Sequence, residues 1–207
     1  MIEEGLRERK KRETRRQIAE AAVGLFAERG FEQVPVSDVA RAAGVSVATV
    51  FNYFGTKEAL VYSGLEAFEE ELIAAVAERP RGVSVLAAFR DLVTHPSGLL
   101  ASHDPDALDR IAIAARITAG SPALQARERE LNDRRAGRLA TLIAKEIGAA
   151  AGDIEPWVRA NALVGVQHAM LKYLHSQVLA GRRDPGLAED LVAQGNAAFD
   201  ALEQGLR

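Results

Sequence analysis

Apolar residues recur at every third or fourth position along almost the whole chain, which places them on one face of an α-helix. No stretch alternates convincingly between apolar and polar residues, as a half-buried β-strand would. Alanine, leucine, glutamate and arginine dominate the sequence, and all four are good helix formers. The pattern therefore predicts an all-α protein.

Glycine and proline divide this helical pattern into about nine segments, because glycine tolerates the left-handed backbone at a helix C-terminus and proline cannot continue a helix. The predicted helices span about residues 9–29, 36–43, 47–54, 57–79, 83–95, 106–119, 122–148, 154–181 and 185–205. We expect two domains, an N-terminal arm with three helices over residues 1–56 and a larger helical domain over residues 57–207. The helix over residues 57–79 links the two.

The second and third predicted helices are short and are joined by Ala43-Gly44-Val45-Ser46. A tight turn that contains glycine between two short helices is typical of a helix-turn-helix. Ser46 is a favourable N-cap, because its hydroxyl can accept a hydrogen bond from a backbone N–H in the first turn of the third helix. The sequence therefore predicts a DNA-binding unit in this region.

The third helix presents two chemically different faces when successive residues are spaced by about 100°. Val50 and Phe54 point inward, where Phe54 closes a small three-helix core. The outer face and its flanks carry no long charged side chain, which suits contact with base edges and thymine methyl groups in a major groove. The predicted base contacts are Val47, Ala48, Phe51 and Asn52, and the predicted phosphate contacts beside them are Thr49, Tyr53 and Lys57.

Charge is distributed unevenly along the chain. The net charge of −3 alone argues against a nucleic-acid binder, but residues 7–16, the basic arm, hold seven basic side chains against two acidic ones. Such an arm is compatible with nucleic acid or with an anionic membrane surface, and a solvated helix start is the plain alternative. If the arm meets DNA, its predicted phosphate contacts are Arg12, Arg15 and Arg16.

The segment FEQVPVSDVARAAGVSVATVFNYFGTKEALV resembles the N-terminal domain of the TetR family of bacterial regulators. The resemblance covers about 45 residues, from an aromatic residue near the end of the first helix, through Ala-Gly-Val-Ser, to the Lys-Glu pair after the third helix. The form TVFNYFGTKE is most similar to an actinobacterial subgroup that includes regulators near mycofactocin gene clusters.

This resemblance implies a homodimer that binds a palindromic or near-palindromic operator in double-stranded DNA, with a larger helical domain that binds a small-molecule effector. It places the phosphate contacts on Thr49, Tyr53 and Lys57, and the base contacts around Val47, Ala48 and Asn52. Phe51 stands where the family usually has tyrosine, so one phosphate-binding hydroxyl is missing. Pro35 stands where a serine or threonine cap is usual, so that Ser37 either compensates or contacts a phosphate.

The helix predicted near residues 156–181 carries apolar residues around most of its circumference, so it must be buried on two sides. Its small residues Ala162, Gly165 and Ala169 form a strip that allows another helix to approach closely. The helix near residues 185–205 offers Leu187, Leu191, Gly195, Ala198 and Leu202. We expect the two helices to form a four-helix interface with a second copy of the chain; the alternative is that the first is simply a central core helix.

Polar residues on apolar stretches of the larger domain are candidates for an effector pocket. They are Arg116, Gln167, His168 and Tyr173. Arg116 would meet an acidic group either of a ligand or of the protein itself. His168 and His175 share a helical face, which suits a metal or two ordinary histidines, and we predict no metal site. Trp157 is expected to pack in the core.

Other classes of protein fit the sequence less well. The chain has no cysteine, which excludes a disulfide scaffold and a thiolate metal site. The N-terminus lacks the apolar core of a signal peptide, and no apolar run reaches the roughly 20 residues of a membrane span, so we expect a cytoplasmic protein. The motifs of serine hydrolases, phosphate-binding loops and zinc proteases are absent, so neither an enzyme nor a cofactor is predicted.

These observations favour a ligand-responsive transcriptional regulator, most simply a homodimeric repressor that a small molecule releases from its operator. An activator of the same family is one alternative. A helical interaction module is another, and it would show no salt-sensitive binding to duplex DNA. The implied mechanism is a ligand-induced shift in population between dimer forms, transmitted through the linking helix.

Overall fold

The computed structural model describes residues 6–95 and 106–205, and these residues form nine α-helices. The helices are α1 (Leu6–Arg29), α2 (Val36–Ala42), α3 (Val47–Phe54), α4 (Ala59–Ala77), α5 (Val85–Thr94), α6 (Ala107–Ala119), α7 (Pro122–Ile147), α8 (Glu155–Leu179) and α9 (Gly186–Gly205). The all-α prediction is confirmed, and the largest difference is that α1 begins at Leu6 instead of near Arg9. None of the helices in these ranges has an apolar stretch long enough to cross a membrane.

The chain packs as two compact units. Among the described residues, 6–65 and 113–127 belong to the N-terminal unit, and 66–95, 106–112 and 128–205 belong to the C-terminal unit. The first five residues of the predicted arm, and residues 96–105 and 206–207 of the predicted larger domain, lie outside the described part of the chain. The division of functions at residue 56 stays a prediction.

The core of the N-terminal unit is built by one apolar stripe on each of its first three helices. Ile18, Ala22 and Phe26 of α1 are fully or almost fully buried, and Val50 of α3 lies against the same core. Phe31 folds back on Phe26 as an edge-to-face pair, with ring centroids 5.0 Å apart. Because Gly30 adopts a φ of 80° at the end of α1, the chain turns sharply enough for this contact.

The end of α6 and the start of α7 also belong to the N-terminal unit, which the sequence did not predict. The hydroxyl of Tyr62 donates a hydrogen bond to the backbone carbonyl of Leu124 at 3.1 Å. The hydroxyl of Ser121 donates to Glu32 Oε1 at 2.6 Å. These bonds attach the α6–α7 corner to α4 and to the turn that follows α1.

In the C-terminal unit, several residues of α9 that were predicted to face a second copy of the chain lie in the core instead. Phe199 meets Phe89 of α5 edge to face, with ring centroids 6.3 Å apart. A Cβ added to Gly195 would lie 2.6 Å from Met170 Cε, so the end of the Met170 side chain of α8 packs directly on Gly195. Leu187 and Leu191 are buried as well. The prediction that Leu187, Leu191 and Gly195 face a second copy is wrong, because these residues are buried within their own protomer.

Candidate nucleic-acid interface and effector cluster

The turn between α2 and α3 has the geometry that the sequence predicts. Gly44 adopts a φ of 65°, in the left-handed region that favours glycine. The N–H of Val45 donates to the carbonyl of Ala40 at 2.9 Å, which closes the turn. The hydroxyl of Ser46 accepts a hydrogen bond from the N–H of Thr49 at 3.0 Å, so the predicted N-cap is present. These contacts fix the start and direction of α3.

The exposed face of α3 gathers all four predicted base contacts. Val47 and Phe51 have 40% and 45% of their surface exposed and lie on the same helix. Ala48 and Asn52 are also exposed. An exposed apolar surface beside an amide suits thymine methyl groups and an adenine edge, as a major groove offers.

Two of the three predicted phosphate contacts near α3, Thr49 and Lys57, already have partners for their side chains within the N-terminal unit. The hydroxyls of Thr49 and Ser46 lie 2.8 Å apart at the start of α3. The ammonium of Lys57 donates to the carbonyl of Phe31 at 2.6 Å and lies 4.3 Å from the centroid of that ring. Tyr53 is half-buried. Lys57 therefore has a structural use, whatever it does on DNA.

At the start of α2, Ser37 is exposed, whereas the neighbouring Asp38 forms ion pairs with two arginines. Pro35 occupies the N-cap position without a side-chain hydrogen bond, so Ser37 does not compensate as a cap; its side chain is exposed. Asp38 accepts a hydrogen bond from Arg29 at 2.8 Å and pairs with Arg41. The Arg29 hydrogen bond is the main reason that the pKa of Asp38 is lowered.

Two arginines of the basic arm, Arg15 and Arg16, form contacts with different parts of the N-terminal unit. Arg15 Nη1 donates to the carbonyl of Tyr53 at 2.5 Å, and its guanidinium lies 4.6 Å from the centroid of the Phe54 ring. Arg16 pairs with Glu13 at 2.7 Å and with Glu20 at 3.1 Å on the exposed face of α1. Hydrogen bonding to Arg16 lowers the pKa of Glu13. Arg12 is exposed.

A groove between α1 and α3 brings further basic residues next to the predicted base contacts. We call it the α1–α3 groove, and its lining is Arg7, Lys10, Lys11, Thr14, Arg15, Asn52 and Tyr53. The sequence interpretation did not single out Arg7 and Lys11 as DNA contacts. Their helical spacing with Lys10 and Thr14 was a usable signal, because positions i, i+3, i+4 and i+7 share one face.

The C-terminal unit contains a buried polar cluster that the sequence only partly predicted. Arg135, 4% exposed, pairs with Glu69, which is 6% exposed. Arg135 Nη1 donates to Gln167 Oε1 at 2.8 Å and to Asn132 Oδ1 at 3.3 Å. His168 Nδ1 lies 3.5 Å from Glu128 Oε1. These six residues, here called the polar cluster, join α4, α7 and α8.

Burial perturbs the guanidinium of Arg135 in this cluster. Burial lowers the pKa of Arg135 to about 10, so the guanidinium remains protonated near neutral pH. Its Nε is buried without a hydrogen-bond partner. Such groups are costly to bury, which makes the cluster a candidate functional site.

The other predicted residues of the effector pocket, Arg116 and Tyr173, lie outside the polar cluster. Arg116 is exposed on the part of α6 that belongs to the N-terminal unit. Tyr173 is partly buried against the core of the C-terminal unit. Trp157 is 51% exposed and its ring lies over Gly137, so the prediction that it packs in the core is wrong. Within the described ranges, no three potential metal ligands come together.

Known proteins similar to this chain are bacterial regulators. The family model for bacterial regulatory proteins of the tetR family matches residues 18–62. The transcriptional regulator TcmR of Streptomyces glaucescens is 30% identical over 204 residues, which cover 98% of this chain and 88% of TcmR. MftR of Mycobacterium tuberculosis, whose name connects it with mycofactocin biosynthesis, is 28% identical over 96% of this chain and 93% of its own.

A solved structure shows the same fold. NalD, described as the secondary repressor of the MexAB-OprM multidrug efflux pump in Pseudomonas aeruginosa, superimposes with a TM-score of 0.54 over 92% of this chain and 97% of its own, at 21% identity. The family model and the names of TcmR and MftR describe transcriptional regulators, which confirms that this chain is a transcriptional regulator and not an enzyme. From its helix-turn-helix and these matches along nearly its whole length, the chain belongs to the TetR family of bacterial transcriptional regulators.

Proposed function

We propose that this protein is a homodimeric repressor that binds a palindromic operator and leaves it when a small molecule binds the C-terminal unit. The observation that carries the proposal is the exposed face of α3, where Val47, Phe51 and Asn52 lie beside a groove lined by basic side chains. An apolar face with one amide, flanked by cations, matches base edges between two phosphate backbones.

In this proposal each protomer places α3 in a major groove. Asn52 reads an adenine, Val47, Ala48 and Phe51 make apolar contacts, and the basic arm, Ser37, Thr49, Tyr53 and Lys57 hold phosphates. Two recognition helices must then lie roughly 34–36 Å apart to fit successive major grooves. That spacing requires a dimer of fixed geometry.

Exposed stripes of small residues on α8 and α9 support the dimer. Gly165 and Ala169 are exposed on α8, and a Cβ added to Gly165 would meet no neighbouring atom. On α9 the exposed residues at helical spacing are Ala193, Ala197 and Ala201. We place a four-helix interface on these stripes, because small side chains allow helices to pack closely. This assignment uses the same helices as the sequence prediction but another face of α9.

The polar cluster is the proposed origin of the effector response. Glu69 lies on α4, and α4 also contributes residues up to Leu65 to the N-terminal unit. A ligand that binds among Glu69, Arg135 and Gln167 would change the contacts of α4. It shifts the balance between dimer forms only by its difference in affinity for them. Arg116 and Tyr173 remain further ligand candidates.

The test is a selection of duplexes from a random pool by the purified protein, followed by a salt titration. A specific regulator enriches one palindromic sequence, and its binding constant falls steeply with salt concentration. A helical interaction module would enrich no sequence and show no salt-sensitive binding. A reporter under the selected operator then separates the two kinds of regulator, because removal of a repressor raises expression and removal of an activator lowers it.

A further inference from the structure

The basic residues of α1 divide between two faces of the helix. Arg7, Lys10 and Lys11 share the face that borders α3 and line the α1–α3 groove with Asn52 and Tyr53. Arg16 lies on another face, where Glu13 and Glu20 neutralise it. The two faces therefore differ in the positive charge that they offer to a polyanion.

Arg15 belongs to the groove but is already bound within the protein. The carbonyl of Tyr53 is one of the last four in α3, which have no partner inside the helix. Arg15 supplies that partner from α1, at 2.5 Å. Its guanidinium also covers the Phe54 ring, which closes the three-helix core. A cation at a helix C-terminus is favourable, so both contacts hold α3 against α1.

The chemistry of the groove suits a phosphodiester chain. Its described lining includes four cationic side chains, a hydroxyl, a phenol and an amide, and it includes no carboxylate. Asn52 is at once part of this lining and the predicted reader of a base. A DNA strand whose base meets Asn52 carries its phosphates along the edge of the same major groove, and the groove cations flank Asn52 on the protein.

We propose that the α1–α3 groove seats one strand of the DNA backbone, with Arg7, Lys10 and Lys11 as its phosphate ligands and Arg15 as a positioning residue for α3. This inference rests on the proposed DNA-binding function. In this proposal Arg15 and Arg16 are no longer phosphate contacts. Arg15 is bound to the carbonyl of Tyr53, and Arg16 is paired with glutamates on another face of α1. Arg7, Lys10 and Lys11 each release counterions from DNA, whereas Arg15 orients α3 and thereby the side chain of Asn52.

Matched single variants test this division. Lys10→Ala and Lys11→Ala remove a groove cation, Arg16→Ala removes one positive charge from another face of the same helix, and Arg15→Met keeps an apolar stem over Phe54. Fluorescence anisotropy at several salt concentrations gives the log–log slope on the selected operator and on a random duplex. Each lysine variant should lower the slope by about 0.9 on both duplexes, and Arg16→Ala should leave it unchanged.

Arg15→Met should leave the slope unchanged and lower the ratio of operator to random affinity by roughly tenfold, a change that corresponds to about 1.4 kcal/mol. If Arg15→Met does not fold, Arg15→Lys serves instead, since it keeps the charge without the planar guanidinium and should also lose selectivity at an unchanged slope. A lower slope with the ratio preserved would make Arg15 a phosphate ligand and overturn its assignment.

Two other outcomes are decisive. Unchanged slopes for Lys10→Ala and Lys11→Ala, together with a lower slope for Arg16→Ala, would move the backbone to another face of α1 and overturn the groove proposal. Wild-type protein that shows no salt-sensitive binding to any duplex would overturn the proposed function itself. The variants distinguish these cases, because the first requires intact wild-type binding.

Discussion

The ammonium of Lys57 donates a hydrogen bond to the backbone carbonyl of Phe31 at 2.6 Å and lies over the ring of the same residue. Phe31 follows α1, and Lys57 precedes α4, so this contact ties together two ends of the three-helix unit. A positive charge before a helix N-terminus opposes the helix dipole. The contact with Phe31 offsets that cost and gives the lysine a role in packing.

Replacement of Lys57 by methionine should lower the free energy of unfolding by about 1–2 kcal/mol, since a hydrogen bond from a charged donor is lost and the Phe31 carbonyl loses its partner. Urea unfolding measures this change. Lys11→Met is the control, because Lys11 is exposed on α1 and should leave stability nearly unchanged. An unaltered unfolding free energy, with a lower salt slope on DNA, would show that Lys57 acts on phosphate alone.

The sequence predicted most of what local chemistry decides. The α3 bounds, the Ser46 cap and the burial of Val50 and Phe54 all follow from glycine positions, hydroxyl chemistry and helical spacing within a dozen residues. The contact between Lys57 and Phe31 could not be predicted from such local features. The sequence indicated only that a lysine in that place needed some use, because the two residues are 26 positions apart and meet through tertiary packing.

Long-range packing also explains the errors in the larger domain. The α9 helix has a leucine-rich face and an alanine-rich face, and periodicity alone does not say which one its own protomer covers. The structure buries Leu187 and Leu191 and exposes Ala197. In the same way, Gln167 and His168 were recognisable as polar residues on an apolar helix, whereas Glu69 and Arg135 become notable only once α4 and α7 are side by side.

Replacement of Asn52 by alanine should weaken operator binding by about 1–3 kcal/mol, through the loss of a bidentate contact with adenine N6 and N7. Binding to random DNA should change little, since the phosphate contacts remain. Selection from random duplexes should show an A·T pair in each half-site with wild-type protein and relaxed preference there with the variant. Ala48→Gly is a comparison that removes a methyl contact and costs up to about 1 kcal/mol of helix stability. A variant that keeps the full wild-type preference would place Asn52 away from the bases.

Two glycines test the assembly. Gly165→Arg adds a charged side chain to the open stripe of α8, so it should break the proposed dimer while the protomer stays folded. Gly195→Ala adds a methyl group beside the flexible end of Met170, which can move, so it should leave the dimer intact and change the stability of the protomer by at most about 1 kcal/mol. Sedimentation at micromolar concentration and urea unfolding separate the two effects. A wild-type monomer, or a Gly165→Arg dimer, would place the interface elsewhere or abolish it.

Adjacent glutamates on α4 offer a matched test of the polar cluster. Glu69 pairs with Arg135, where both side chains are buried, whereas Glu70 pairs with Arg138 at 2.5 Å with its side chain 67% exposed. Glu69→Ala leaves a buried guanidinium without its anion and should cost about 3–5 kcal/mol of unfolding free energy. Glu70→Ala breaks an exposed pair and should cost about 0–1 kcal/mol.

Urea unfolding of the two variants measures the difference, and a double change separates pairing from burial. Replacing Glu69 and Arg135 together by leucine and methionine removes both charges, so this variant should recover much of the stability that Glu69→Ala loses. Similar losses for Glu69→Ala and Glu70→Ala would show that the buried pair contributes no more than a surface pair. A double variant more stable than the wild-type protein would instead show that the cluster is retained at a cost to stability, as expected for groups that serve ligand binding and not the fold.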